Sequence, residues 1–313
     1  MNTSLDAMSD LVGQYLRVRR ALGYKLNNAE DILNRFVAYL EVRDADRVSV
    51  ADAVGFATAP PARTARTQAL RLSAVRCFTR WAHCQDPSIE VPPARLLPAR
   101  PSRVAPYIYT AEQLDALLEA AGRLQPPERA ATYQTLIGLM AATGIRTGEA
   151  IGLDTSSFDP HAGILTVTGK YGKRRMLPLH STVADALTGY LKQRRHLPGA
   201  HSDHALLVST RGTRLHPSTV HATFRPLTAE AGLGTASSAC RPRLHDLRHT
   251  FAVSTMLDAY RRGDDPAVVL PVLSTWLGHT EPRDTYWYLT GTAELLEAAA
   301  TRLDTTDEER ALT

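Results

Sequence analysis

The chain has 313 residues, enough for two domains, and its 44% hydrophobic and 22% charged content is that of a globular protein with real cores. No apolar run approaches the ~20 residues a membrane span needs, the first residues lack the basic-then-apolar layout of a signal peptide, and three cysteines (Cys77, Cys84, Cys240) are too few for a disulfide framework or zinc ribbon. A cytoplasmic protein is expected; its formal charge of +4, with the basic excess in the body and an acidic tail from Glu294, is compatible with a polyanionic partner without demanding one.

The first hundred residues read as helices. "SDLVGQYLRVRRALGY" places Leu11, Tyr15, Val18 and Leu22 three or four apart, with Ser9 available as a cap. "NAEDILNRFVAYLEVR" repeats the pattern through Ile32, Phe36 and Leu40, and "TARTQALRLSAVRCFTRWAHC" through Leu70, Val75, Phe78 and Trp81. The last segment also sets Arg66, Arg71, Arg76 and Arg80 among its polar positions. That is either a solvated face or a helix that lies against phosphates. Residues 91–106, "VPPARLLPARPSRVAP", carry prolines at 92, 93, 98, 101 and 106 with three arginines, a composition that prevents helix and favours an extended strap. The expected division is a helical domain over 1–90, a linker over 91–106 and a second domain over 107–313.

The second domain opens on a capping box, Thr110 followed three residues later by Gln113. Helical pattern covers 111–121 and 128–142. "GILTVTG" and "RRMLPLH" read as short strands joined by the turn-rich "KYGK". Helical pattern resumes over 181–194, 217–231, 245–259, 266–277 and 292–303. The expected fold is mainly α with a small β hairpin sheet.

Four pieces of this domain carry chemistry. "ATGIRTGEAIGL" holds Arg146 at a glycine-bounded turn with Glu149 three residues on; "TGKYGKRRMLPL" holds Lys170 before the hairpin turn. "RLHDLRHTFA" puts His245 and Arg248 on one helix face, and "LGHTEPRDTYWYL" holds His279, Tyr286 and Tyr288. Each alone has a plain reading: an Arg–Glu ion pair, one more charge in a basic hairpin, packed aromatic residues. His245 and His249 also have the i, i+4 spacing of two metal ligands, but "HDLRH" lacks the carboxylate of HExxH and its arginine would repel a cation. Together the pieces suit one task. Two arginines can clamp the charged oxygens of a phosphodiester, a histidine can bond the phosphate or handle a proton, a lysine can protonate a leaving oxygen, and a tyrosine can form a covalent phosphoester. That set needs neither metal nor nucleotide cofactor, and no G-x-x-x-x-G-K-[ST] loop is present.

In order and spacing the pieces resemble the tyrosine recombinase, or phage integrase, family: an Arg in "TGIRTGE", a lysine in "GKYGKRRMLPL", "HDLRH", "LGH", and a tyrosine nine residues after His279, over roughly residues 106–300. The resemblance implies a helical core-binding domain and a catalytic domain that form a clamp on double-stranded DNA. It implies that Arg146 and Arg248 hold the scissile phosphate, that Lys170 protonates the 5′-hydroxyl leaving group, that His245 is the acid/base partner and that His279 donates a hydrogen bond to the phosphate. Lys173, beyond the turn glycine, is the lesser candidate for the lysine. Glu149 would orient Arg146 and His249 would buttress the helix. Tyr288, at the family's interval, would be the nucleophile; Tyr286, seven residues after His279, falls where the family varies, and Pro282 lies in the intervening stretch. Two positions apart on a helix, the two tyrosines differ by ~200° and cannot share one phosphate.

Family members form a 3′-phosphotyrosine and exchange strands within a tetramer. The segment "LTGTAELLEAAATRLD", with Leu295, Leu296, Ala299 and Leu303, would be a helix that packs on its own domain or docks on a neighbouring protomer. Its look, with "DTYWYL", is that of a mobile-element member. The alternatives are a catalytically silent DNA-binding accessory protein and a type IB topoisomerase-like enzyme.

Overall fold

The computed structural model describes residues 3–45, 47–60, 64–98, 106–169, 172–196, 204–234, 241–281, 284–286 and 297. The chain divides into two compact units, Met1–Arg103 and Val104–Thr313.

The first unit holds α1 (Thr3–Ala21), α2 (Asn27–Val42), α3 (Val50–Thr58) and α4 (Ala65–Ala82). Its core joins Leu33, Phe36 and Leu40 of α2 to Phe56 of α3 and to Val75 and Phe78 of α4. Tyr15 of α1 packs between the rings of Phe78 and Trp81, at centroid distances of 5.7 and 5.6 Å. Several features of this unit differ from the expected ones. Helix α1 starts at Thr3, so Ser9 lies inside it and caps nothing. Its buried stripe is Val12, Tyr15 and Leu16, whereas Val18 and Leu22 are exposed; a spacing of three to four fits both stripes, and the packing against α2 and α4 selects one. On α4, Leu70 is exposed and Arg71 is buried. The Arg71 guanidinium donates to the carbonyls of Phe56 (3.4 Å) and Ala59 (3.0 Å), where it opposes the negative end of α3. It therefore does not belong to any phosphate-facing row; Arg66 and Arg80 are exposed. Helix α3 was not foreseen, although Ser49 and Asp52 form a reciprocal capping box in front of it.

The second unit holds α5 (Ala111–Gly122), α6 (Pro127–Thr143), α7 (Thr147–Ile151), β1 (Phe158–Asp159), β2 (Ile164–Thr168), β3 (Arg174–Pro178), α8 (Ser181–Arg194), α9 (Pro217–Glu230), α10 (Asp246–Arg262) and α11 (Pro266–Leu277). The box at Thr110 forms as expected: its hydroxyl accepts the Gln113 N–H at 3.3 Å, and the Gln113 side chain accepts the Thr110 N–H at 3.1 Å. The sheet is antiparallel in the order β1-β2-β3, one short strand more than the expected hairpin, and pairs Leu165 with Leu177 and Val167 with Arg175. Leu165, Val167 and Leu177 are buried in a core that includes Leu117 of α5 and Leu136, Ile137 and Met140 of α6. A second cluster joins Ala252, Val253 and Met256 of α10 to Leu270, Leu273 and Leu277 of α11. Among the described residues no helix is long and apolar enough to cross a membrane. The helix expected over 292–303 lies, apart from Glu297, outside the described residues.

Candidate active site

Helix α6 ends where Gly144 takes the left-handed conformation (φ 63°), and only glycine fits there: a Cβ would lie 2.5 Å from the Phe251 ring and 3.0 Å from Leu277. Ile145 then buries completely, and Arg146 becomes the cap of α7. The Glu149 carboxylate closes this turn by accepting the Arg146 N–H at 3.0 Å and its guanidinium at 2.8 Å. The motif "TGIRTGE" is thus one folding unit: a helix stop, a reversal and a capped restart.

Glu149 has a second partner beyond the candidate residues of the motifs. Arg175 of β3 donates to both Glu149 oxygens at 3.3 and 2.8 Å, and its Nε donates to the Trp276 carbonyl at 2.7 Å. Strand alternation gives the signal that could have found it. Arg175 stands two residues before the buried Leu177, on the inward face of β3, where a solvated arginine does not belong. Burial pushes the Glu149 carboxyl up, but bonds from Arg175 and the Arg146 backbone and side chain outweigh it and hold the group below its ordinary range.

Arg248, in the first turn of α10, is fully buried. Its guanidinium donates at 2.8 Å to the Gly144 carbonyl, to the Leu277 carbonyl and to Nε2 of His279. Two of these acceptors lie at the C-terminal ends of α6 and α11, the negative ends of their dipoles. Arg146 leans on the same turn, 3.5 Å from the Leu277 and Gly278 carbonyls. Among the described residues, Arg146 and Arg175 share the Glu149 carboxylate, while Arg146 and Arg248 share the Leu277 carbonyl, so the cluster gathers more guanidiniums than carboxylates. Asp246, fully buried beside it, is occupied by Arg243, which donates to it from its backbone and guanidinium at 2.9 to 3.0 Å.

Three histidines line this cluster. His245 stands at the N-cap position of α10 with an edge open to solvent, and desolvation of its ring, then the charge of Arg248, lowers its pKa. His249 is buried one turn on, edge to face with His245 at 5.1 Å, and burial first, then its neighbours' charges, lower it to about 3. His279, half-buried, is lowered to about 4 by burial and by Arg248 and Arg146. Each folded value lies below the 6.5 of a free imidazole. The unfolded chain therefore takes up protons that the folded chain refuses, and stability, complete above pH ~6.5, is lost as pH falls toward the folded values. The unfolding free energy from urea titration is expected to be lower at pH 5 than at pH 7.5, by up to about 2 kcal/mol from His249 and less from the partly solvated His279, with a correspondingly lower midpoint. His249→Asn should shrink the difference, and a midpoint unchanged over that range would contradict it.

The structure thus brings Arg146, His245, Arg248 and His279 together, with Glu149 and His249 behind them. Lys170 and Tyr288 lie outside the described residues, while Lys173 is exposed and Tyr286, at the end of the helical residues 284–286, is 52% exposed. The hairpin base reaches the cluster: Gly169 donates to the Lys173 carbonyl at 2.7 Å, and a Cβ on Gly169 would lie 3.5 Å from a Glu149 oxygen.

Comparison with known proteins sets this site in context. The profile of the phage integrase family matches residues 108–294. A Sinorhizobium fredii protein named as an integrase/recombinase, y4rB, is 40% identical over 315 residues, covering 98% of this chain and all of its own length. The tyrosine recombinase XerC of Mycobacterium tuberculosis is 33% identical over 239 residues, 74% of each chain. Among solved structures, XerH recombinase bound to palindromic difH after cleavage aligns with a TM-score of 0.66 at 20% identity, covering 97% of this chain and 86% of its own. The Tn1549 transposon integrase in complex with transposon right end DNA aligns at 0.63 and 18% identity, covering 94% and 98%.

Proposed function

The chain belongs to the phage integrase family, and from that premise we propose that it is a site-specific DNA recombinase that cuts and rejoins strands through a 3′-phosphotyrosine. The observation that carries this reading is the convergence of three guanidiniums, with Arg146 and Arg175 on the Glu149 carboxylate and Arg248 on the Leu277 carbonyl and the His279 imidazole. Such a site favours a phosphodiester, whose charge grows on the non-bridging oxygens as it is attacked. Arg146 and Arg248 would hold those oxygens. The Tyr288 oxygen would attack phosphorus and lose its proton toward His245, the P–O5′ bond would break, and Lys170 would protonate the departing 5′-oxygen. Because one phosphoester replaces another, the reverse attack by a 5′-hydroxyl reseals the strand without a nucleotide. The nearness of Gly169 to Glu149 supports the hairpin lysine in this role. Both domains, joined by the 91–106 linker, would contact the duplex, and the C-terminal segment would link protomers in a tetramer on paired sites, in the setting of a mobile element.

The test is incubation of purified protein, in EDTA and without nucleotide, with nicked duplexes of randomised centre, followed by capture and sequencing of denaturant-resistant adducts. Adducts enriched in one sequence are expected. Binding that falls steeply with salt but yields no adduct would make the protein an accessory factor; adducts without sequence choice, with supercoil relaxation, would make it a topoisomerase.

A further inference from the structure

The chemistry above asks His279 to donate to a phosphate, but the hydrogen bonds around it put its lone pair where that proton should be. Arg248 can only donate, so the 2.8 Å bond between its Nη2 and His279 Nε2 makes Nε2 the acceptor. With the ring neutral, the proton sits on Nδ1 and is donated to the Thr285 hydroxyl at 2.7 Å. Thr285 is fully buried, six residues beyond the imidazole it meets. A hydroxyl both donates and accepts, whereas a carboxylate at that place would hold the proton on Nδ1 permanently.

We propose that Thr285 is a positioning residue that keeps the His279 ring in place through a change of tautomer, from acceptor of Arg248 to donor to the scissile phosphate. When Arg248 turns to the phosphate, Nε2 gains a proton from solvent and Nδ1 releases one to solvent. The ring stays neutral, and the Thr285 hydroxyl rotates to donate to the bare Nδ1. Each ring nitrogen keeps one hydrogen-bond partner at both stages: Nε2 exchanges Arg248 for the phosphate, and Nδ1 keeps Thr285. The proposal rests on the recombinase reading for the identity of the phosphate, but the hydrogen-bond pattern of the free protein does not.

The test compares wild type, Thr285→Val and Thr285→Ser. Imidazole nitrogen NMR of the full chain is recorded free and with the nicked duplex recovered by adduct capture, beside the rate of adduct formation and the affinity for that duplex. Expected are an Nδ1–H tautomer in the free wild type, Nε2–H on the duplex, and a mixture of tautomers in the Val variant. Adduct formation should fall about 10- to 100-fold in Thr285→Val and stay within about 3-fold in Thr285→Ser, with affinity little changed in both. The Ser variant and a thermal melt separate lost positioning from lost folding. An Nε2–H tautomer in the free wild type, or a Val variant with unchanged tautomer and rate, overturns the proposal and leaves the recombinase reading intact. A wild type that forms no adduct with any duplex overturns that reading and the catalytic part of the proposal with it.

Discussion

Tyr288→Phe is expected to abolish the covalent protein–DNA adduct, at least about a 10³-fold loss, while Tyr286→Phe retains it. Phenylalanine removes one oxygen and nothing else, so a nucleophile's loss is complete and a packing residue's is small. Tyr286 is 52% exposed, whereas its neighbour Thr285 is fully buried and bonded to His279. Tyr288 stands nine residues after His279, the interval that the family resemblance gives the nucleophile. The measurement is denaturing gel capture on a nicked duplex, where the product cannot religate. An adduct that survives in Tyr288→Phe and vanishes in Tyr286→Phe would reverse the assignment.

What the sequence disclosed depended on how local the cause was. The cap at Thr110, the reversal from Thr143 to Glu149 and the ranges of α8 and α11 are set by residues within a turn of one another, and they were legible. The stripe that α1 buries, and the burial of Arg71 against the end of α3, are decided by neighbours far along the chain. Apolar spacing alone cannot choose between two adjacent stripes. The candidate site shows the same division. Motif order named Arg146, His245, Arg248 and His279, but Arg175 hid behind Lys173 and Arg174 as one more charge of a basic hairpin. Strand alternation with Leu177 was the one signal in the sequence, and the β2–β3 register, with Arg175 opposite the buried Val167, shows that it points inward. Likewise Thr285 carried no motif, and its part follows from a hydrogen bond closed by the fold.

The burial of Arg248 leads to the other large effect. This side chain closes a three-way joint between the end of α6, the start of α10 and the end of α11, with acceptors from Gly144, Leu277 and His279. Arg248→Ala would strip the Gly144 carbonyl of its guanidinium donor, leave the Leu277 carbonyl only the long bond from Arg146 and open a void, a loss of roughly 3 kcal/mol or more in unfolding free energy. Arg248→Lys would keep the charge but lose the planar fork, since one ammonium on a flexible stem cannot reproduce three bonds in that geometry. It should recover part of the stability and little of the activity. Arg146 offers the contrast: its side chain is 31% exposed and its bonds to the Leu277 and Gly278 carbonyls are long. Arg146→Ala should therefore cost less stability while lowering adduct formation by a similar 10²- to 10³-fold, as expected when a group that stabilises transition-state charge is removed. Overall DNA affinity should change little in any of these variants, because one phosphate contributes a small part of the binding. Urea unfolding, filter binding and adduct rates on the same three proteins test this pattern. If Arg248→Lys matched wild type in both midpoint and rate, Arg248 would be neither the joint nor the phosphate clamp argued for it.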